Sequence, residues 1–305
     1  MQKPVIVFVG SSTPIQKLLP KVLEKGNIVV AAVFGSESSD HATQEICTDH
    51  SIPFLDMKLL RSASGPKQLA GFKPDWVFNV NSMVLFGDPL LEVPTQGSLN
   101  LHCGNLPEYA GKHAHQWAIR RGETEFGVTL HWMTSHIDGG DIAGIRMFPI
   151  TARDTGLSLY MKYIKEGIPL VEEIIDRIAN GEEVPRIAQD QGRRKYFLDR
   201  EAQDGTIPWE ADQLTVLNFF RAADYAPFTS PTYVPTTWLG DREITMAKAK
   251  PAEGAGKPGK ILAIEEKGVI IGTGTFPVKV RKVHLPEGLE LKVGDIFGKE
   301  AIHGE

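Results

Sequence analysis

The chain opens on an unbroken apolar run, PVIVFV at residues 4–9, which ends at Gly10, Ser11 and Ser12. Ile15, Leu18, Leu19, Val22 and Leu23 then recur at helical spacing until Gly26 stops them. A second run, IVVAAVF at 28–34, shows no polar alternation. Both strands therefore read as buried on both faces and paired in parallel through the helix. A polar helical segment follows at 40–49, then a short strand at Ile52, Pro53 and Phe54. Further strands are expected at WVFNV (76–80), Ser98–His102, Val128–Trp132 and 142–150, with a short helix or turn at Asp88–Leu91. From Leu157, apolar residues at 161, 164, 168, 171, 175 and 178 step by three and four, which predicts a long amphipathic helix stopped at Asn180-Gly181. Beyond it the periodicity changes. One helix at Gln213–Arg221 precedes five short strand candidates at 234–239, 243–248, 260–264, 269–273 and 277–284, separated by turn residues. Short strands at such intervals predict a small barrel. The chain thus reads as an α/β domain at 1–190, a polar linker at 191–206, and a smaller barrel-like domain at 207–305.

Composition narrows the function classes. A hydrophobic content of 42% in 305 residues is that of an ordinary globular protein. The net charge of -5 gives no support for a general binder of nucleic acid or membranes. Cys47 and Cys103 are too few for a disulfide framework, and no run is long enough to span a bilayer, so a cytoplasmic protein is the expectation. The turn after the first strand, GSSTPI, lacks the G-x-G-x-x-G spacing of a dinucleotide site.

The polar chemistry is concentrated between Gly97 and Ile150, where five of the nine histidines fall between His102 and His136. Side chains alternate along a strand, so Asn100 and His102 share one face while Leu99 and Leu101 enter the core on the other. The loop Asp138-Gly139-Gly140-Asp141 follows a later strand and is placed to close over the same crevice. These groups suit acyl transfer to an amine. An amide and an imidazole stabilise a tetrahedral oxyanion, and a carboxylate accepts the amine's proton directly or through water. No serine or cysteine nucleophile is needed, and Cys103 reads as packing. His113, His115, His131 and His136 match no standard metal spacing, and Lys112 repels a cation, so no metal is expected.

The order N-x-H, L-P, Y-x-G, G-V-T-L-H and D-x-G-D resembles the 10-formyltetrahydrofolate-dependent formyltransferases, a family that includes enzymes acting on methionyl-tRNA, glycinamide ribonucleotide and nucleotide-linked amino sugars. The segment Asp204–Trp209 and Arg221-Ala222 extend the resemblance over almost the whole chain. It implies a Rossmann-like formyl-transfer domain with a C-terminal open, OB-like barrel. It also implies Asn100, His102 and Asp138 as the catalytic set and 10-formyltetrahydrofolate as co-substrate. The folate pocket is implied at Ser82, Met83, Leu85 and Phe86 together with Ser135, His136, Ile137, Gly139, Gly140 and Asp141. Asp141 also reads as a turn-stabilising residue. Gly104 and Asn105 stand where the family usually has Ser and Leu.

The acceptor is a separate question. Family members that act on tRNA carry a basic loop after the second strand, whereas GSESSDHATQEICTDH here has no Lys or Arg. Residues 241–305 are near charge balance, and tracking of phosphates needs clustered cations. The expected partner is therefore a small amine, with a nucleotide-linked amino sugar first, methionyl-tRNA as the alternative and hydrolysis of the folate to formate as a second alternative. A two-domain enzyme of this kind commonly pairs as a homodimer. Arg193 and Arg194 read as part of a solvated linker rather than a phosphate grip. Tyr225, Phe228, Tyr233 and Trp238 read as packing rather than base-stacking residues.

Overall fold

The computed structural model describes residues 2–298. In chain order its first elements are β1 (Val5–Gly10), α1 (Ser12–Lys25), β2 (Val29–Gly35), α2 (His41–Asp49), β3 (Phe54–Asp56), α3 (Gly65–Ala70), β4 (Trp76–Val80), α4 (Asp88–Leu91) and β5 (Gly97–His102). Then come β6 (Ala110–Gly111), α5 (Ala114–Arg120), β7 (Glu125–Trp132), β8 (Ile142–Pro149) and the long α6 (Gly156–Ala179). The chain continues through β9 (Tyr196–Phe197), α7 (Asp199–Ala202), α8 (Gln213–Ala222) and β10 (Thr236–Leu239). It closes with β11 (Arg242–Pro251), β12 (Ile261–Glu265), β13 (Gly268–Ile271) and β14 (Val278–His284). Two compact units emerge. One comprises residues 1–111, 127–148 and 161–196, and the other 112–126, 149–160 and the chain from 197 onward.

The first unit is organised by a seven-stranded sheet in the order β3-β2-β1-β4-β5-β7-β8. The pairs from β3 to β5 are parallel, and β7 enters antiparallel to β5. Ile6, Val7, Phe8, Val9, Val77 and Phe78 are fully buried, as strands covered on both faces require. The third strand lies slightly later than the sequence predicts, at Phe54–Asp56 rather than 52–54. Ile52 is consumed by the exit from α2, where its amide donates to the Cys47 carbonyl at 2.8 Å. The first ladder contact is instead made by the Pro53 carbonyl, which accepts from the Val33 amide.

The second unit contains a five-stranded antiparallel sheet in the order β10-β11-β14-β13-β12. The final described segment bridges its two ends: Gly298 pairs with Trp238 of β10, and Ile296 pairs with Lys260 beside β12. The sheet is thereby closed into a small barrel. Its interior holds Ile244, Met246, Ile261, Val269, Ile271, Val278 and Val280, with Trp209, Phe219 and Phe220 in the same cluster. Among the aromatic residues read as packing, Tyr225 and Tyr233 are buried, whereas Phe228 is exposed.

The expected linker is not featureless. It folds as a 3-10 turn at Gln191–Arg193, the short β9 and the one-turn α7, and its residues have specific partners.

Candidate active site

Parallel and antiparallel pairing together assemble polar rows on the first sheet. Asn79 of β4, Asn100 of β5 and His131 of β7 are register neighbours, and His102 stands opposite Thr129. Residues paired across a ladder project from the same face, so these five side chains share one surface. Asn79, His102, Thr129 and His131 are buried, which obliges each polar atom to find a partner.

The partners fix the orientation of the rings and amides. His131 Nδ1 lies 2.9 Å from the Trp132 carbonyl, an acceptor only, so this nitrogen carries hydrogen. In the neutral ring Nε2 is then an acceptor, and it receives the Asn100 amide at 2.9 Å. The interaction holds the Asn100 amide plane and leaves its second N–H for another acceptor. His102 Nε2 donates to the Tyr109 carbonyl at 2.7 Å, while Nδ1 faces Asp138 Oδ1 at 3.6 Å. Both nitrogens of His102 thus face oxygen acceptors, so an incoming proton has a place to reside. Thr129 completes the support: its hydroxyl donates to the Gly104 carbonyl at 2.7 Å and accepts from the Leu106 amide at 3.1 Å.

Asp138 reaches this surface from the loop after β7. Its backbone is left-handed at φ 53°, a conformation that costs a non-glycine residue about 1 kcal/mol. Oδ2 accepts from the Gly111 amide at 2.9 Å, and Oδ1 also lies 3.6 Å from His131 Nε2. Burial by itself would raise the carboxyl. The His102 ring and the Gly111 amide outweigh that and hold it well below the usual carboxylate range, so Asp138 is an anion at neutral pH.

Two glycines make this packing feasible. A Cβ on Gly140 would lie 2.0 Å from the Trp132 carbonyl oxygen, so only glycine fits where the loop crosses the strand. A Cβ on Gly104 would lie 2.4 Å from the Tyr109 carbonyl and 2.7 Å from His102 Nε2. The departure from Ser at this position therefore clears the space in which His102 meets Tyr109.

The structure sorts the expected folate residues. Ser82 closes the turn after β4, its amide donating to Asn79 Oδ1 and its hydroxyl accepting from the Val84 amide. Met83 and Leu85 are 59% and 68% exposed, an unusual display for large apolar side chains. Phe86 turns the other way, into a core cluster with Val84 against which Met133 also packs. Ser135, His136 and Ile137 are exposed, Gly139 and Asp141 are half-buried, and Gly140 is buried. The Asp141 carbonyl accepts from the Trp132 amide at 2.8 Å.

Several contributors escape sequence reasoning. His131 entered it only as an unpersuasive metal ligand, although the alternation in GVTLHW already places Thr129 and His131 on one face. Arg194 entered as a solvated linker residue, and Gln189 did not enter at all. Instead, Gln189 donates to the carbonyls of Asp138 and Gly140, and Arg194 to those of Ile137 and Asp138. In the second unit, His113 pairs with Asp199 at 2.9 Å, and His115 is buried against the Tyr225 hydroxyl. Among the described residues, no group of three His, Cys, Asp or Glu side chains is arranged to hold a metal ion.

The ordinary anion site of such a sheet, the start of α1 beyond β1, is filled from within. Asp40 is buried there, and its carboxylate accepts from the Ser12 amide and the Gln16 side-chain amide, both at 2.7 Å. The first N–H of α1, one of those that would hold a phosphate, thus already has a carboxylate partner.

Residues 3–174 match the formyl transferase family, and residues 200–300 match the formyl transferase C-terminal domain. The chain belongs to the formyl transferase family. It is a formyl-transferring enzyme with a Rossmann-like first domain and a C-terminal OB-like one. This formyl transferase is 28% identical over 300 residues to methionyl-tRNA formyltransferase of Citrifermentans bemidjiense, covering 96% of this chain and 92% of the relative. It is 29% identical over 302 residues to the same enzyme of Pseudomonas syringae pv. tomato, covering 96% and 93%. Among solved structures, the fold is similar to that of WlaRD, a sugar 3N-formyl transferase solved with dTDP and 5-N-formyl-THF. The TM-score is 0.70 at 19% identity, covering 92% of this chain and 98% of that one. An N-formyltransferase of Helicobacter canadensis, solved with folinic acid and dTDP-3-aminofucose, gives a TM-score of 0.68 at 20% identity, covering 92% and 99%. No helix among the described residues is long and apolar enough to cross a membrane.

Proposed function

We propose that this formyl transferase moves the formyl group of 10-formyltetrahydrofolate onto the primary amine of a small molecule, a nucleotide-linked amino sugar being the first candidate. The observation that carries the reading is the polar face itself: an oriented Asn100, a His102 between two acceptors and an ionised Asp138, with no side-chain nucleophile among them. Such a face suits an attacking group brought by the substrate.

A folate fits what surrounds this face. Met83, Leu85 and Ile137 offer exposed apolar side chains, and the loop 135–141 offers backbone groups, which suits a flat heterocycle with polar edges. The bound folate supplies the activated formyl group. Asn100 donates its remaining N–H toward the formyl oxygen as negative charge develops there. The amine attacks the formyl carbon, a C–N bond forms, and the bond to the folate nitrogen breaks. Asp138, with His102 Nδ1 3.6 Å away to share the charge, takes the proton that the amine loses and delivers that same proton to the departing folate nitrogen as its bond to the formyl carbon breaks. The proton count closes without an external acid.

Local charge supports a small acceptor. The stretch from Gly35 to His50 forms a compact turn and α2 without one Lys or Arg, and Asp40 occupies the cradle where a phosphate would dock. Two neighbours in fold, a sugar 3N-formyl transferase and an N-formyltransferase, were solved with dTDP and with dTDP-3-aminofucose respectively. Methionyl-tRNA is the second reading, favoured by the curated relatives that align over 96% of the chain. The test is incubation with 10-formyltetrahydrofolate and a panel of nucleotide-linked amino sugars, small primary amines and initiator methionyl-tRNA, read by mass spectrometry. One small amine gaining a single formyl group is the expected result. Formylated methionyl-tRNA would transfer the assignment to the second reading, and formate without any formylated product would make the protein a hydrolase.

A further inference from the structure

Two loops hold the reacting pair in place. Residues 107–111 present the Tyr109 carbonyl to His102 and the Gly111 amide to Asp138, and residues 135–141 present Asp138 itself. Both loops are laced to the same short stretch of chain. The Lys195 amide donates to the Pro107 carbonyl at 3.2 Å, the Ala110 amide donates to the Lys195 carbonyl at 3.0 Å, and the Arg193 guanidinium pairs with Glu108. On the other side, Gln189 Nε2 donates to the Asp138 carbonyl at 2.9 Å and the Gly140 carbonyl at 2.6 Å. Arg194 completes the set: Nη1 reaches the Asp138 carbonyl at 3.1 Å, and Nη2 reaches the Ile137 carbonyl at 2.7 Å.

This pattern meets a specific need. Asp138 holds a left-handed backbone that a non-glycine residue abandons unless its surroundings enforce it. Its own carbonyl and the preceding one are the atoms gripped by Arg194, and a planar guanidinium with fixed donor directions suits two neighbouring oxygens as a lysine ammonium does not. The Asp138 carboxylate joins the two loops at the Gly111 amide, and the strap is hydrogen-bonded to both.

We propose that residues 189–195 are a positioning strap for the active site and that Arg194 is its principal positioning residue, fixing the Ile137-Asp138 backbone so that the Asp138 carboxylate stays on His102. The proposal rests on the reading of His102 and Asp138 as the reacting pair. Arg194 touches neither substrate nor reacting atoms in this account. It acts through the backbone of Asp138.

The test compares full-length wild type with Arg194→Ala and Arg194→Lys. Misplacing a catalytic group by about 1 Å can cost on the order of 100-fold in rate, so Arg194→Ala is expected to lower kcat by roughly 10- to 100-fold while changing KM for the amine by less than about threefold. Guanidinium ion at low millimolar concentration is expected to restore activity to Arg194→Ala, and Arg194→Lys to lie between, with unfolding midpoints close to wild type. An independent readout needs no turnover: the Gly111 amide, held by the Asp138 carboxylate, exchanges its hydrogen faster in Arg194→Ala because the carboxylate has moved away. An unchanged kcat with unchanged Gly111 exchange overturns the proposal. So does a fall in activity that guanidinium leaves untouched and that tracks a lowered unfolding midpoint. A wild type without formyl transfer sinks the functional reading instead, and the Gly111 exchange still decides whether the strap holds Asp138.

Discussion

Inside the C-terminal barrel, buried side chains such as Ile244, Met246, Ile261, Ile271, Val278 and Val280 pack together in one apolar and aromatic cluster. On β4, β5 and β7, by contrast, Asn79, His102, Thr129 and His131 are buried alongside apolar neighbours and survive because each has an oriented partner. The barrel is held by burial, which is non-directional and tolerates substitution if volume is preserved. The polar face is held by directional contacts, several of them from chain far away in sequence, and it keeps a strained backbone at Asp138. Stability and chemistry are thus built by different means in the two regions, and substitutions should separate them.

The largest effect should come from the polar face. His102→Ala is expected to cut turnover by roughly 1,000-fold or more, since it removes the imidazole that shares the charge of Asp138, with the unfolding midpoint little changed. Steady-state rates and thermal unfolding check both halves. Next in size, Ile271→Ala in the barrel should cost about 2–5 kcal/mol of stability through lost burial and the cavity left behind. Urea unfolding measures it, and turnover per folded molecule should not move. A matching loss of turnover would mean that the two regions are not separable. His131→Phe should have a smaller effect, lowering kcat roughly 10-fold by freeing the Asn100 amide to rotate. If turnover were untouched, the Asn100–His131 contact would be packing alone.

The smallest effect at neutral pH belongs to His115. Burial, and secondarily His113, pushes its imidazole down to about 3 from an ordinary value of 6.5. The folded state therefore binds this proton less readily than the unfolded chain. Its contribution is intact above about pH 6.5 and drains away as pH falls toward 3. Unfolding followed across that window should show a loss that His115→Gln reduces. The same slope in both proteins would assign the acid sensitivity elsewhere.

How much of this was legible beforehand follows the same division. The apolar pattern gives β4 at residues 76–80 as found and all five barrel strands near their observed places, and of the helix or turn expected at Asp88–Leu91 the helix forms. Asn100 and His102 are legible because strand alternation fixes their shared face. His131 is harder, since its role depends on β7 entering antiparallel beside β5, a matter of tertiary pairing. Arg194 is harder still. A charged, apolar-poor stretch predicts solvent exposure, and nothing local marks a guanidinium whose acceptors are backbone carbonyls more than 50 residues away. Phe86 shows the converse limit. A motif places it with Met83 and Leu85, but alternation along the segment sends it into the core.

The central claim is that Asp138 acts on the proton of an attacking amine rather than on the shape of the pocket. Asp138→Asn keeps the size of the side chain and removes its charge, so turnover and folate affinity measured on that one variant test the claim directly. The account predicts a fall in formyl transfer of roughly 1,000-fold with the dissociation constant for a stable 5-formyl folate within about threefold of wild type. Parallel losses of both, or undiminished transfer, would contradict it.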